Sequence, residues 1–176
     1  MRTLNILFVL LTIVFVIYLL IPLSTLPPDL PNSVKSLEPA DLEDPYRVGF
    51  YTDMTRDEVI NYYRGKFALS SLGISMPFVR LNYPPEEAQD KIRDQTHSTF
   101  LEEIVHPFRD SLYINGYEPD PEKSPLFYDG LQWRQKIIIK YVDSSLIVRE
   151  TLGLTSLALA YVLFIEWKSV LKWKKN

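Results

Sequence analysis

Glu103 and His106 have the residue types and the spacing that metal binding or acid–base chemistry requires. Three positions apart on a helix, a carboxylate and an imidazole lie on one face, as they do in di-iron bundles. Such a centre needs a second pair of this kind and further glutamates, whereas His97 has no glutamate three positions before it. A solvated helix with a local Glu–His contact is the alternative explanation of the spacing. The sequence therefore predicts no metal site.

A pocket for a ligand or substrate is another use for these side chains. They belong to a set of four polar groups that a long helix and a neighbouring strand would bring together: Arg80, His97, Glu103 and His106. Converging polar groups with perturbed protonation are typical of binding and catalytic pockets. A membrane-bound ligand sensor or enzyme, with this pocket between the long helix and the sheet, is therefore the second functional hypothesis.

Motifs for nucleophilic catalysis and for cofactor binding are missing from the sequence. The chain has no cysteine and no Gly-x-Ser-x-Gly motif, and its six glycines form no phosphate-binding loop. Because the chain has no cysteine, disulfides and cysteine-based zinc sites are excluded. No catalytic residue and no cofactor is predicted, so a non-enzymatic role is the first functional hypothesis.

Two apolar runs flank a polar middle segment. The first extends from Leu4 to Leu23 and the second from Leu152 to Ile165. A bilayer core of ~30 Å needs about 20 apolar residues in a helix. We therefore predict an N-terminal transmembrane signal anchor at 1–23 and a C-terminal transmembrane helix at 151–171. A cleaved signal peptide is the alternative for the first run, and a buried or interfacial helix is the alternative for the second.

Charge is distributed unevenly along the chain. The 19 basic and 22 acidic side chains are arranged so that the terminal segments are basic and the middle is acidic. An acidic domain repels phosphate backbones, so nucleic-acid binding is not expected. Because positive residues favour the cytoplasmic side, both termini, with the basic tail at 172–176, are predicted to be cytoplasmic and the middle domain to lie outside. Tryptophan and lysine side chains suited to the membrane–water interface follow the second run: Trp167, Lys168, Lys172 and Trp173.

The middle segment divides into a linker and a folded domain. Six prolines between positions 22 and 45 predict an extended linker at 24–45. The fold class predicted for 46–150 is α+β. It is a small mixed α/β sandwich with helices on one face of its sheet, held between the N-terminal and the C-terminal transmembrane helix.

The first half of this domain has clear local signals. The run from Arg47 to Tyr51 indicates a short strand. Thr55 and Glu58 have the spacing of a capping box, which predicts the start of a helix. Alternating apolar and polar residues from Phe78 to Tyr83 predict a half-buried strand.

The second half is predicted to hold the longest helix and a hairpin. Pro84 suits the first turn of a helix whose apolar stripe reaches Leu112, and Pro107 predicts a kink or break near Glu103 to His106. A long strand at 131–142 is predicted to pair with a returning strand at 146–148.

Two features of the sequence are suited to contacts with a partner. Tyr62 lies off the apolar face of its predicted helix and is a candidate for an exposed contact. Gly153, Ser156 and Ala160 give the second transmembrane helix a face of small residues, which favours close helix packing in lipid. The sequence thus predicts a membrane-anchored envelope protein of interaction or assembly function. Its expected partners are the lipid bilayer and another membrane or envelope protein, or a second copy of itself.

Overall fold

The computed structural model of the protein describes residues 2–21, 26–67, 77–93 and 95–173. The chain forms two compact units. One consists of the two ends, Met1–Ile21 and Ser144–Asn176, and the other is Pro22–Asp143.

Five helices and eight strands occur in the described residues. The helices are α1 (Arg2–Leu20), α2 (Pro39–Leu42), α3 (Arg56–Phe67), α4 (Ala88–Ile92), which follows a 3₁₀ turn at Pro85–Glu87, and α5 (Leu146–Trp173). The strands are β1 (Ser33–Lys35), β2 (Arg47–Thr52), β3 (Val79–Tyr83), β4 (Phe100–Val105), β5 (Ser111–Tyr117), β6 (Leu126–Tyr128), β7 (Leu131–Trp133) and β8 (Gln135–Val142).

Six of the strands form one antiparallel sheet in the order β1-β2-β8-β5-β4-β3. The remaining two, β6 and β7, form a separate hairpin. The α+β class predicted from the sequence is confirmed. Apolar β-branched residues of β8, Ile137, Ile138 and Ile139, lie at the centre of the sheet and are buried on both of its faces.

The first face of the sheet holds the larger core, under α3. Val59, Tyr63 and Phe67 of this helix pack against alternate residues of the strands, among them Ile104 and Ile137. The predicted capping box begins α3, because the Thr55 amide donates to the Glu58 carboxylate (2.7 Å). The second face carries α4, whose Ala88 and Ile92 pack on Leu101 and Ile138. Helices therefore cover both faces of the sheet, and the prediction that they lie on one face was wrong.

The predicted long helix from Pro84 to Leu112 is also wrong, because this stretch forms α4 and the β4–β5 hairpin. Its apolar residues are not a helical stripe; they belong to two strands that are buried on both faces. Pro107 lies in the turn between the strands, where its missing amide donor breaks no ladder. Glu102 and Glu103 are both charged and both buried, so this strand does not show the alternation of apolar and polar residues that would have indicated it.

The region predicted as an extended linker contains regular structure. β1 pairs with β2, and α2 follows β1. Leu30 is buried in the core under α3, and Asp41 of α2 is fully buried. Proline begins α2 at its first turn, so the prolines mark helix starts and turns as well as extended chain. Residues 24 and 25 of this prediction lie outside the described residues.

The terminal unit pairs α1 with α5. By length and composition, Leu146–Val170 within α5 is able to cross a bilayer core, whereas the apolar stretch of α1, Asn5–Leu20, is shorter. The strand predicted at 146–148 is wrong, because these residues form the first turn of α5. The basic tail predicted at 172–176 lies largely outside the described residues.

Candidate functional site

Arg80, the first member of the predicted polar pocket, belongs to an ion-pair cluster on the first face of the sheet. Its guanidinium binds both carboxylate oxygens of Glu102. Arg56 donates to the same carboxylate through Nε (2.9 Å) and Nη2 (2.6 Å). Burial alone would raise the pKa of the Glu102 carboxyl, but the hydrogen bonds and charges of the two arginines hold it below its usual range.

Glu103 lies on the opposite face of the sheet from Glu102, because successive side chains of a strand point to opposite sides. The Tyr83 hydroxyl donates to its Oε2 (2.5 Å). Burial, together with the neighbouring Glu103 charge, raises the pKa of Tyr113 to about 12. The hydrogen bond to Glu103 likewise raises the pKa of Tyr83.

The two histidines occupy different environments. His106 is fully buried in the β4–β5 turn, where its Nδ1 lies 3.0 Å from Asp110 Oδ1 and its ring stacks on Phe67. His97 is exposed, with its ring centroid 6.0 Å from that of Tyr117. Among the described contacts, none joins two of the four predicted pocket residues. A pocket between a long helix and the sheet is therefore not formed, because the helix itself is absent.

The predicted contact residue Tyr62 is half-buried. Its hydroxyl donates to the backbone carbonyl of Asp29 (2.9 Å), and its ring meets that of Tyr63 edge-on. The side chain therefore fastens the segment before β1 to α3.

The predicted small-residue face of α5 has one buried and one exposed end. A Cβ on Gly153 would lie 2.2 Å from Cδ1 of Leu19, so the two helices touch at this glycine. Ser156 is half-buried and Ala160 is exposed. Whether this face serves as an interface with another chain stays a prediction.

Of the predicted membrane-interface residues, Trp167 is exposed, and Lys168 donates to the Asn5 side chain of α1 (2.8 Å). The side chains of Lys172 and Trp173 lie outside the described part of the structure.

An edge of the sheet that no other described strand covers, and that sequence reasoning missed, lies along β3; we call it the free edge of β3. Within the described residues this strand pairs only with β4, and it is the last strand of the sheet. Val79 is 46% exposed and Leu81 is 39% exposed. Natural edge strands are usually blocked by lysine, proline or a bulge. The one charged residue of β3, Arg80, is bound to Glu102, so its charge does not protect the edge. An open edge with exposed apolar residues can accept a strand from a partner.

A cavity of about 490 Å³ in the folded unit lies beside the β6–β7 hairpin. We call it the Trp133 pocket; it is lined by Asp53, Glu118, Pro119, Pro121, Leu126, Gln132, Trp133 and Arg134. Arg134 connects two other lining residues: its guanidinium binds the Glu118 carboxylate (2.6 Å), and its backbone N–H donates to the Asp53 carboxylate (2.9 Å). The volume lies within the usual range of small-molecule sites.

The hairpin turn Asp129-Gly130, with φ of 52° and 73°, is the sequence signal that could have revealed the β6–β7 hairpin beside this pocket.

Comparisons with protein families, with curated proteins and with solved structures find no match for this chain. Its function is therefore inferred from its own residues.

Proposed function

We propose that the protein is a membrane-anchored, non-enzymatic component of the cell envelope whose folded unit binds another membrane or envelope protein through β3. The observation that carries this proposal is the free edge of β3 with Val79 and Leu81 exposed. Main-chain hydrogen bonds from an added strand would supply affinity, and pockets for alternate side chains would supply specificity. The partner would present an extended segment with an apolar residue opposite Leu81.

Photo-crosslinking in native membranes tests the proposal. A photoreactive residue at position 81 should give adducts of defined mass, whereas one at Leu37 should not. Leu37 is the matched control because it is also a solvent-exposed leucine of the folded unit, at 70% exposure, but lies outside the free edge. Equal adducts at the two positions, or no adduct at either, would overturn strand addition at β3.

The proposed topology has both helices crossing the membrane, both termini in the cytoplasm and the folded unit outside. Support comes from the length and composition of α5, from the apolar character of α1 and from the basic residues near both ends. Reporter enzymes that work only outside the membrane, fused after Asn176, should be inactive. An active reporter at this position would refute the cytoplasmic C-terminus.

A second candidate function is ligand sensing, and the Trp133 pocket is the observation that favours it. The half-buried indole lies beside the Arg134–Glu118 ion pair and two prolines, so an apolar surface and polar groups meet in one cavity. Emission of Trp133 can be isolated in the full chain by Trp167→Phe and Trp173→Phe. Titration with N-acetylated sugars and with short peptides should give a saturating change for one class. Unchanged emission with both classes would remove this candidate.

A further inference from the structure

A second, smaller cavity, about 250 Å³, lies where the start of β2 meets the end of β8. We call it the Arg47 pocket; its lining residues are Glu43, Asp44, Pro45, Arg47, Arg93 and Lys140. It is separate from the Trp133 pocket and shares no residue with it.

Arg47 is the buried centre of this pocket. Its side chain is 2% exposed, and its Nη1 donates to the carbonyls of Ile92 (2.9 Å) and Arg93 (3.3 Å), at the end of α4. Its Nε and Nη2 are buried and have no hydrogen-bond partner within the described part of the chain. The carboxylate of Glu43 is 4.0 Å from Nη2, which is too long for a hydrogen bond. Two charged donors are thus withdrawn from bulk water and left unmatched, which is costly unless an acceptor binds there.

Two other arginines of the same domain show what this pair of donors is suited to hold. Arg80 uses Nε and Nη2 to bind the two carboxylate oxygens of Glu102, and Arg56 uses the same two donors to bind one of them, Oε1. This edge of a guanidinium matches two oxygens of a carboxylate or a phosphate. In Arg47 the same edge has no such partner among the described residues.

The charge around the pocket favours an anion. Its lining has three basic side chains against two acidic ones, although the middle of the chain as a whole is acidic. Lys140 lies opposite Arg47 in the register of β8 and β2, and its Nζ is 3.7 Å from Asp44. A tetrahedral oxyanion would offer oxygens to the Arg47 donors and to the Lys140 ammonium from different sides.

We propose that the Arg47 pocket binds a phosphate group. The phosphodiester of an anionic lipid and free phosphate are two sources of this one chemistry.

Thermal unfolding of the full chain in neutral detergent tests the proposal, because a ligand that binds only the native state raises the unfolding midpoint. One arm adds inorganic phosphate, compared with chloride at equal ionic strength. The other adds short-chain phosphatidylglycerol, compared with a short-chain glucosyl diacylglycerol that has no phosphate. A midpoint rise with phosphatidylglycerol alone identifies a lipid headgroup site, and a rise with inorganic phosphate identifies a site for free phosphate. Absence of both rises overturns the proposal.

Variants distinguish the pocket from general charge effects. Arg47→Lys keeps the charge and one donor for the α4 carbonyls but removes the paired donors, so binding should weaken about tenfold. Lys140→Gln should weaken it several-fold, whereas Lys123→Gln, at a lysine elsewhere whose side chain is 83% exposed, should not. Equal losses for these two glutamine variants would overturn the pocket as the site.

Glu43 is the competing occupant, because a rotamer change could bring its carboxylate onto the Arg47 donors. If phosphate binds there, Glu43→Gln removes a competitor and should tighten phosphate binding. If the variant instead lowers the midpoint without added ligand and leaves phosphate binding no tighter, the donors belong to Glu43 and the proposal fails.

Discussion

Phe100 fills the space that a side chain at Gly116 would occupy. The two residues are directly paired between β4 and β5, and a Cβ on Gly116 would lie 2.1 Å from Cε1 of the Phe100 ring. The outer side of this ring meets the Arg56 guanidinium, 4.8 Å from the ring centroid. Gly116 therefore positions the ring on which one arginine of the Glu102 cluster rests.

Gly116→Ala should destabilise the folded unit by about 1–3 kcal/mol, because the ring must leave its place in a packed core. The free energy of unfolding by urea, followed by near-ultraviolet circular dichroism of the full chain in detergent, measures the loss. Gly65→Ala is the matched control, since a Cβ there meets nothing within 4 Å and alanine favours the α3 interior by roughly 1 kcal/mol. If the two variants change stability by the same amount, the Phe100 contact is not the cause.

The Glu102 cluster should make stability depend on pH. The pKa of this carboxyl is lowered in the folded state, so the cluster contributes stability above the unfolded pKa, near 4.3, and loses it as pH falls through the folded pKa. Glu102→Gln cannot titrate. The difference in unfolding free energy between wild type and Glu102→Gln should therefore be constant above about pH 5 and shrink below about pH 4. Urea titrations at several pH values measure it, and a difference that stays constant throughout would contradict the role of the cluster.

Lys136 neutralises a buried carboxylate at the base of α2. Its Nζ lies 2.8 Å from Oδ2 of Asp41, whose side chain is fully buried, and Gly49 leaves the room that this carboxylate occupies. Lys136→Met should cost about 3–5 kcal/mol, because it leaves a buried charge without a partner. Adding Asp41→Asn should recover part of that loss. A double variant no more stable than Lys136→Met would show that the ion pair is not the source of the cost.

Elements with a local signal were predictable from the sequence. Thr55 and Glu58 begin α3 as their spacing predicts, and the strands at Arg47 and Val79 lie within a residue or two of the predicted positions. The β4–β5 hairpin was not predictable in this way. Its charged residues are buried against partners from distant segments, so its pattern of apolar residues matches a helix as well as a strand.

The candidate sites depend on contacts between distant parts of the chain. Arg47 reaches the carbonyl of Ile92, and the Arg134 amide bonds to Asp53, pairs 45 and 81 positions apart. No short motif encodes such a meeting. The predicted polar pocket was inferred from sequence spacing alone, on the assumption that Glu103 and His106 share a helix face. Glu103 instead lies in a strand and His106 in a turn, and the two side chains have different partners.

Helix pairing within the chain and association between chains involve different parts of one face of α5. Gly153 touches Leu19 of α1, so Gly153→Leu should disrupt the α1–α5 pair. The double variant Ser156→Leu/Ala160→Leu instead changes the half-buried and exposed part of the same face. The chain has no native cysteine, so cysteines placed at Phe8 and Phe164, whose ring centroids are 5.0 Å apart, report pairing by a short bismaleimide crosslinker without background. Gly153→Leu should lower this crosslink, and the Ser156–Ala160 variant should instead weaken detergent-stable complexes between chains. If the Ser156–Ala160 variant leaves complexes and membrane retention untouched, this part of α5 is not an interface.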